Sequence, residues 1–350
     1  MAGCSRISFP APPLASPAPD GSWQTYTQAE GLPADSSTSL AVDASGGIWA
    51  GTTRGAAYFD GTGWQSYATG QGMLSDLVLD VAVDPQGAAW FGSDKGVTRF
   101  DGRDWTQYTT GDGLPEGYVA VVSVDRSGML WFGISGAGSD WAFGNGAARL
   151  EEGGASAKDD DRWQVFAPSR ERMGGDVVSA ILDAGQVGIL FGTTPEGTVR
   201  FESGRGGLWR LEGAATSDPG DDRWNVLRSE DGLLNNTISA LALDSDAALW
   251  IGTPLGLQRV TFNETYSSFT STRSYFKAHG LPGNRILSLA AGDAGRMWVG
   301  TDSGLALIEG DRIETMAVED GLPGNGIRSI VVAPDRAVWV ATPAGIGVRR

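Results

Sequence analysis

Ser123-Val124-Asp125-Arg126-Ser127-Gly128-Met129-Leu130-Trp131-Phe132-Gly133 reads as a strand, a tight turn and a second strand. Val122 and Val124 alternate with small or polar neighbours, the period of a half-buried strand. Asp125 to Gly128 carries turn chemistry, because Asp bonds its own backbone and Gly tolerates positive φ. Met129 to Phe132 is apolar enough for a buried strand, which Gly133 ends.

The second-strand motif recurs as Trp49-Ala50-Gly51, Trp90-Phe91-Gly92, Trp131-Phe132-Gly133, Leu190-Phe191-Gly192, Trp250-Ile251-Gly252, Trp298-Val299-Gly300 and Trp339-Val340-Ala341. The seven copies are spaced by 41, 41, 59, 60, 48 and 41 residues. A period near 41 residues with such strands is the length of a four-stranded propeller blade. In five copies a glycine follows four residues after the motif's last residue (Gly55, Gly96, Gly256, Gly304, Gly345), which predicts a short hairpin into a third strand. Fourth strands follow, as in Trp64-Gln65-Ser66-Tyr67 and Trp105-Thr106-Gln107-Tyr108, and then a loop such as Gly113-Leu114-Pro115 leads to the next blade.

The chain stops on a third strand, Gly345–Arg350, and offers an unmatched fourth strand at its start, Trp23-Gln24-Thr25-Tyr26. The early strand therefore completes the last blade, and the ring has no open edge. The fold expected is an all-β, seven-bladed propeller of four-stranded antiparallel blades over residues 21–350. Residues 1–20 have the Pro, Ala and Ser content of a tether. There Ala2-Gly3-Cys4-Ser5 resembles the end of a lipobox, which makes Cys4 a lipidation candidate and implies membrane attachment.

Composition narrows the functions. Net charge is −16, so no nucleic-acid partner is expected. One cysteine precludes an internal disulfide, and one histidine, His279, leaves little material for histidine catalysis or a metal site. No cofactor or metal is expected.

The loop Gly280-Leu281-Pro282-Gly283-Asn284, the strand Ile286–Leu289, and Met297-Trp298-Val299-Gly300-Thr301 with Ser303-Gly304-Leu305 resemble the two-component regulator propeller repeat. Gly321-Leu322-Pro323-Gly324-Asn325 with Val338-Trp339-Val340 matches again. The resemblance implies a periplasmic, sensor-type propeller; in that family two propellers usually precede a membrane span and a histidine kinase, and some members bind carbohydrates. The present sequence carries one propeller and neither span nor kinase, so binding is the function to expect, without direct transmission.

Residues that break the repeat are the site candidates. Repeats three and four are long and enlarge the loop between second and third strands, Ile134–Asn145 and Thr193–Gly206, on the face of the Gly-Leu-Pro loops. Trp141, Phe143, Arg200 and Arg205 on these loops form one candidate wall. Glu116, Tyr118, Asn236, Asn284, Arg285, Asn325 and Arg328 lie in or beside the Gly-Leu-Pro bends, with Arg285 and Arg328 read as equivalent positions on adjacent blades that together hold a carboxylate or sugar acid. The acidic loops Glu151–Arg162 and Glu212–Arg223 lack calcium-loop spacing and read as solvated. The turn aspartates Asp43, Asp84, Asp125 and Asp244 repeat around the ring, as turn builders do, and His279 replaces the Asp of other repeats in a turn.

The leading expectation is a non-catalytic, extracytoplasmic, monomeric propeller binding a small molecule or carbohydrate on its Gly-Leu-Pro face. Two other readings stand beside it: a scaffold for a protein partner, and an enzyme resembling streptogramin lyase, a family of seven-bladed propellers that uses histidine, acidic groups and a divalent metal.

Overall fold

The computed structural model describes residues 21–136, 144–151, 158–166, 177–195, 206–212 and 222–350. The tether, Cys4, Trp141, Phe143, Arg200 and Arg205 lie outside the described residues. The described chain forms seven four-stranded antiparallel sheets. Six are built of four consecutive strands; the seventh pairs Trp23–Tyr26 with Gly345–Arg349, register Trp23↔Arg349 to Tyr26↔Ile346, followed by Val338–Thr342 and Ser329–Val332. The seven innermost strands (Ser37–Val42, Val78–Val83, Tyr118–Val124, Val177–Asp183, Ala240–Leu243, Ile286–Ala291, Ser329–Val332) touch in a closed cycle, the last meeting the first. The seven-bladed ring and its closure by the N-terminal strand are as the sequence predicts.

A blade has two apolar faces and only its neighbours to bury them. The apolar core is accordingly divided into seven clusters, each spanning one junction between adjacent blades. Second-strand tryptophans anchor them. Trp90 donates Nε1–H to Asp84 Oδ2 at 2.8 Å, lies under the Arg99 guanidinium at 5.7 Å and stacks on Tyr108 at 5.6 Å. Trp131 repeats this with Asp125 at 2.9 Å, Arg149 at 5.5 Å and Phe166 at 5.4 Å. Trp250 repeats it with Asp244 at 2.8 Å, Arg259 at 5.9 Å and Tyr275 at 5.4 Å.

The same aspartates build the turns. Asp125 Oδ1 accepts from Ser127 N at 2.9 Å and Met129 N at 3.0 Å while Oδ2 holds the indole. At Asp244 burial opposes ionisation, but donation from Trp250, Arg259 and Ala248 N outweighs it and holds the carboxyl below its ordinary range. Trp209 sits on the third strand Gly207–Glu212 and is buried.

A second device joins the blades at the inner ring, and the sequence reading did not contain it. Bulges in five inner strands fall at Ser37/Ser39, Val78/Asp80, Val119/Val121, Val178/Ala180 and Ile286/Ser288. A bulge re-aims a side chain, and here side chains at or beside this position reach the neighbouring blade. Thr38 Oγ1 donates to Val78 O at 2.9 Å, Ser239 Oγ to Ile286 O at 2.6 Å, and Ser288 Oγ to Ile327 O at 2.8 Å. Ser179 Oγ donates to Ile238 O. Arg328 Nη1 donates to Ser37 O at 3.2 Å and Ser36 Oγ at 2.9 Å, closing the belt between blades 7 and 1. At the junction of blades 3 and 4 the corresponding residues are Ala120 and Val121, which have no polar side-chain atoms.

Asp80 is the charged member of this belt. Its Oδ1 accepts from Ser39 Oγ at 2.5 Å and Val81 N at 2.9 Å, and its Oδ2 from Val122 N at 2.8 Å, so one carboxyl spans three blades. Burial nevertheless prevails over these donors and pushes its pKa up to about 6. The folded protein thus holds the proton more tightly than the unfolded chain. The contribution of Asp80 to stability is complete below the ordinary value of 3.8 and declines as pH rises through about 6. Two pKa units correspond to ~3 kcal/mol at most, and part of the residue is still accessible, so about 1–2 kcal/mol is expected. Urea unfolding of wild type and Asp80→Asn between pH 4 and 8 checks this: the stability difference between them should shrink in that direction by this amount, and a pH-independent difference would refute the assignment.

Candidate functional site

The Gly-Leu-Pro loops are built by one local rule. Among the described residues, six of the fourth strands are followed by a single 3-10 turn, ended by a glycine in the left-handed region such as Gly31 (φ 108°) or Gly280 (φ 109°). The last residue of the turn folds back to accept from the backbone N–H three residues earlier: Glu30 from Thr27 at 2.7 Å, Gln71 from Ala68 at 2.8 Å, Asp112 from Thr109 at 2.8 Å, Asp320 from Ala317 at 2.9 Å. His279 does the same through Nδ1, accepting from Phe276 N at 3.2 Å. The chain's single histidine is thus a turn residue, as its repeat position implied.

A second side chain steadies the far limb of the bend. Asp35, Asp76, Asn236, Asn284 and Asn325 each accept, through Oδ1, from the backbone N–H seven residues earlier, at 2.7–3.1 Å. The three asparagines singled out as site candidates therefore have their carbonyl oxygens engaged within the loop, and only their amide N–H groups remain for a ligand.

Both loop systems share one face. Asn145 Nδ2 donates to Glu116 O at 2.6 Å, so the start of the third strand of blade 3 rests on the preceding Gly-Leu-Pro loop. Pro282 and Pro323 lie against the hairpin glycines Gly304 and Gly345 in the same way. Those hairpins are tightened by a buried hydroxyl that the sequence reading passed over: Thr52, Thr253, Thr301 and Thr342 each donate to the carbonyl three residues on, at 2.8–2.9 Å. A Thr or Ser directly after the second-strand Gly (or Ala341) in six of the seven blades, with Ile134 in the other, was the available signal.

The rim of the central channel is set by the backbone register. Ser36 O accepts from Thr53 N and Arg285 O accepts from Asp302 N, both at 3.2 Å, while Tyr118 pairs with Ser135. These residues stand thirteen positions before the second-strand Trp in their blades, together with Leu77, Thr237 and Gly326. Val177 is in the same place before Leu190. The ring at the mouth is thus small or aliphatic except for Tyr118 and Arg285.

The expected equivalence of Arg285 and Arg328 is corrected here. Ile286 N donates to Thr253 O and Ile327 N to Thr301 O, each at 3.0 Å, so Arg285 matches Gly326 and Arg328 matches Leu287, two residues deeper. Arg328 is part of the belt, whereas the exposed Arg285 guanidinium has no partner among the described residues. Of the candidates, Tyr118 and Arg285 stand at the mouth, and Glu116, Asn236, Asn284 and Asn325 in the loops behind it.

Residues 280–303 match the profile of the two component regulator propeller. No curated protein sequence matches the chain. Among solved structures, the extracellular domain of a hybrid two component system from B. thetaiotaomicron superposes with a TM-score of 0.70 at 18% identity, over 94% of this chain and 41% of that one. The extracellular domain of a one component system from the same organism gives 0.70 at 20%, over 94% and 40%. Streptogramin B lyase gives 0.65 at 15%, over 93% and 96%. The chain spans about two fifths of the first two proteins. At these identities the likeness is one of fold.

The role of His279 has a direct check. His279→Asp installs the residue of the other turns and should leave stability within about 0.5 kcal/mol, whereas His279→Ala removes the acceptor and should cost about 1 kcal/mol in urea unfolding.

Proposed function

We propose that this chain, a propeller of the two-component regulator repeat type, is a non-catalytic sensor module that binds a small molecule or carbohydrate at the channel mouth on its Gly-Leu-Pro face. The observation that carries the reading is the mouth ring, where Tyr118 and the unpartnered Arg285 interrupt an otherwise small or aliphatic rim. An aromatic ring and a guanidinium suit a sugar, above all one bearing a carboxylate. Trp141, Phe143, Arg200 and Arg205, which lie outside the described residues, are proposed from the sequence as a flanking wall.

The setting proposed is extracytoplasmic, with Cys4 as a lipid anchor and residues 1–20 as its tether. Two extracellular domains among the structural relatives support this compartment. Among the described residues no helix is long and apolar enough to cross a membrane. A lyase-like activity is disfavoured by the engagement of His279 Nδ1 in a backbone turn.

A thermal-shift screen with neutral hexoses, uronic acids and oligosaccharides tests the reading. A ligand at a hundredfold its Kd adds about 2.7 kcal/mol, a rise of several degrees for a domain of this size. The expected outcome is such a rise with a uronic acid, reduced by Tyr118→Ala and abolished by Arg285→Ala. A screen in which no sugar raises the midpoint, alongside capture of a protein partner on this face, would replace the reading with that of a scaffold.

A further inference from the structure

Blade 4 departs from the three-point arrangement of its neighbours. Leu190 stands where the other blades have the second-strand tryptophan. Arg210 pairs with it across the strands, as Arg99 pairs with Trp90, Arg149 with Trp131 and Arg259 with Trp250. With no indole beneath it, the buried Arg210 guanidinium turns to blade 5. It donates to Val187 O at 2.5 Å, to Thr265 O at 3.3 Å and to Tyr266 O at 3.1 Å, and lies over the Tyr266 ring at 5.2 Å. Its remaining nitrogen pairs with Glu212 at 2.5 Å. Tyr266 is held at φ 54°, a left-handed conformation unusual for a bulky side chain. The hairpin tip of blade 5 is thereby fixed beside blade 4.

Asp183 is also released from the usual pattern. Having no indole N–H to accept, its Oδ2 takes the backbone N–H of Arg126, in blade 3, at 2.7 Å, and its Oδ1 takes that of Gly185 at 2.7 Å. Arg126 is drawn over Gly185, where an added Cβ would stand 2.1 Å from its Nη1.

The result is a cavity of about 620 Å³, on the face opposite the Gly-Leu-Pro loops and bordered by blades 3, 4 and 5. Its other carboxylates are occupied: Asp125 and Asp183 by backbone and indole N–H groups, Glu212 by Arg210. The Arg126 guanidinium and the Glu264 carboxylate have no partner among the described residues. Gln186 accepts from Tyr266 Oη at 3.3 Å and keeps its amide N–H groups.

We infer that this cavity binds a small zwitterion of the amino-acid type, its carboxylate on Arg126, its ammonium group at Glu264, and its body against Gln186 and Tyr266. A simple anion would face a wall richer in carboxylates than in guanidiniums, and a simple cation would face Arg126 unpaired. A molecule carrying both charges satisfies both groups, and the cavity is within the size range of small-ligand sites. The site is independent of the channel mouth and lies on the other face, so either assignment can fail without the other.

The test is calorimetric titration of the full chain with each of the common L-amino acids, followed, for the tightest binder, by its amide, which lacks the carboxylate, and its deaminated acid, which lacks the ammonium group. Each truncated ligand should bind at least about tenfold more weakly, as should the parent ligand to Arg126→Ala and to Glu264→Gln. Arg126→Ala should no longer distinguish the amino acid from its amide, while Tyr118→Ala and Arg285→Ala leave binding unchanged. The inference is overturned if no amino acid binds, if the truncated ligands bind as tightly as the parent, or if Arg126→Ala and Glu264→Gln bind like wild type. Both side chains are exposed, and the ligand series on wild type decides the matter even if a variant misfolds.

Discussion

Three second-strand indoles are each gripped at three points, and the seams they occupy depend on that grip. In blades 2, 3 and 5 a turn Asp takes the indole N–H, an Arg of the third strand covers one face, and the last aromatic of a fourth strand stacks on the ring. The indole lies in the seam between two blades, so these contacts fix turn, strand register and blade spacing together. Apolar burial alone would leave the blades free to slide, since the hydrophobic effect is non-directional. The N–H donated to a carboxylate supplies the direction.

Two nested rings result. The outer one is aromatic and lies in the seams; the inner one is the belt of hydroxyls, Asp80 and Arg328 around the channel. They divide the labour: the seams provide area removed from water, and the belt satisfies polar backbone groups exposed by the bulges. The belt has no polar side chain at the junction of blades 3 and 4, where the position holds Ala120 and Val121. There Arg126 N and Asp183 supply a cross-blade tie at the turns instead.

The repeats were legible because their anchors are chemically loud. Trp, Gly and the Asp-x-x-Gly turn recur at fixed spacing, and the unmatched strand Trp23–Tyr26 announced the ring closure. The belt was silent: Thr38, Ser239 and Ser288 look like ordinary small polar residues, and their partners stand about forty residues away or more. Arg328 was misplaced for a definable reason. Asn-Arg-Ile-Leu and Asn-Gly-Ile-Arg follow the same Gly-Leu-Pro-Gly bend and so look alike, yet counted from the bend or from the tryptophan Arg285 and Arg328 stand two residues apart. The backbone bonds place Ile286 and Ile327 at equivalent positions and so keep that two-residue offset, which puts Arg285 at the rim and Arg328 deeper in the strand.

A substitution in a repeat protein changes more than its own position, because its partners were placed for the residue it replaces. Leu190 fills its share of the core and is fully buried, so as a packing residue it is unremarkable. Its consequence lies in what it no longer holds. Asp183 and Arg210 keep their charges and their places on the backbone but lose the indole between them, and each finds its partners in an adjoining blade. Two buried or half-buried ionic groups cannot be left unsatisfied, so the loss of one ring forces a rearrangement across three blades. That rearrangement shapes a concave surface bordered by three blades. A symmetric scaffold acquires an individual site by omitting one element of the repeat and letting the polar groups around the omission find new partners.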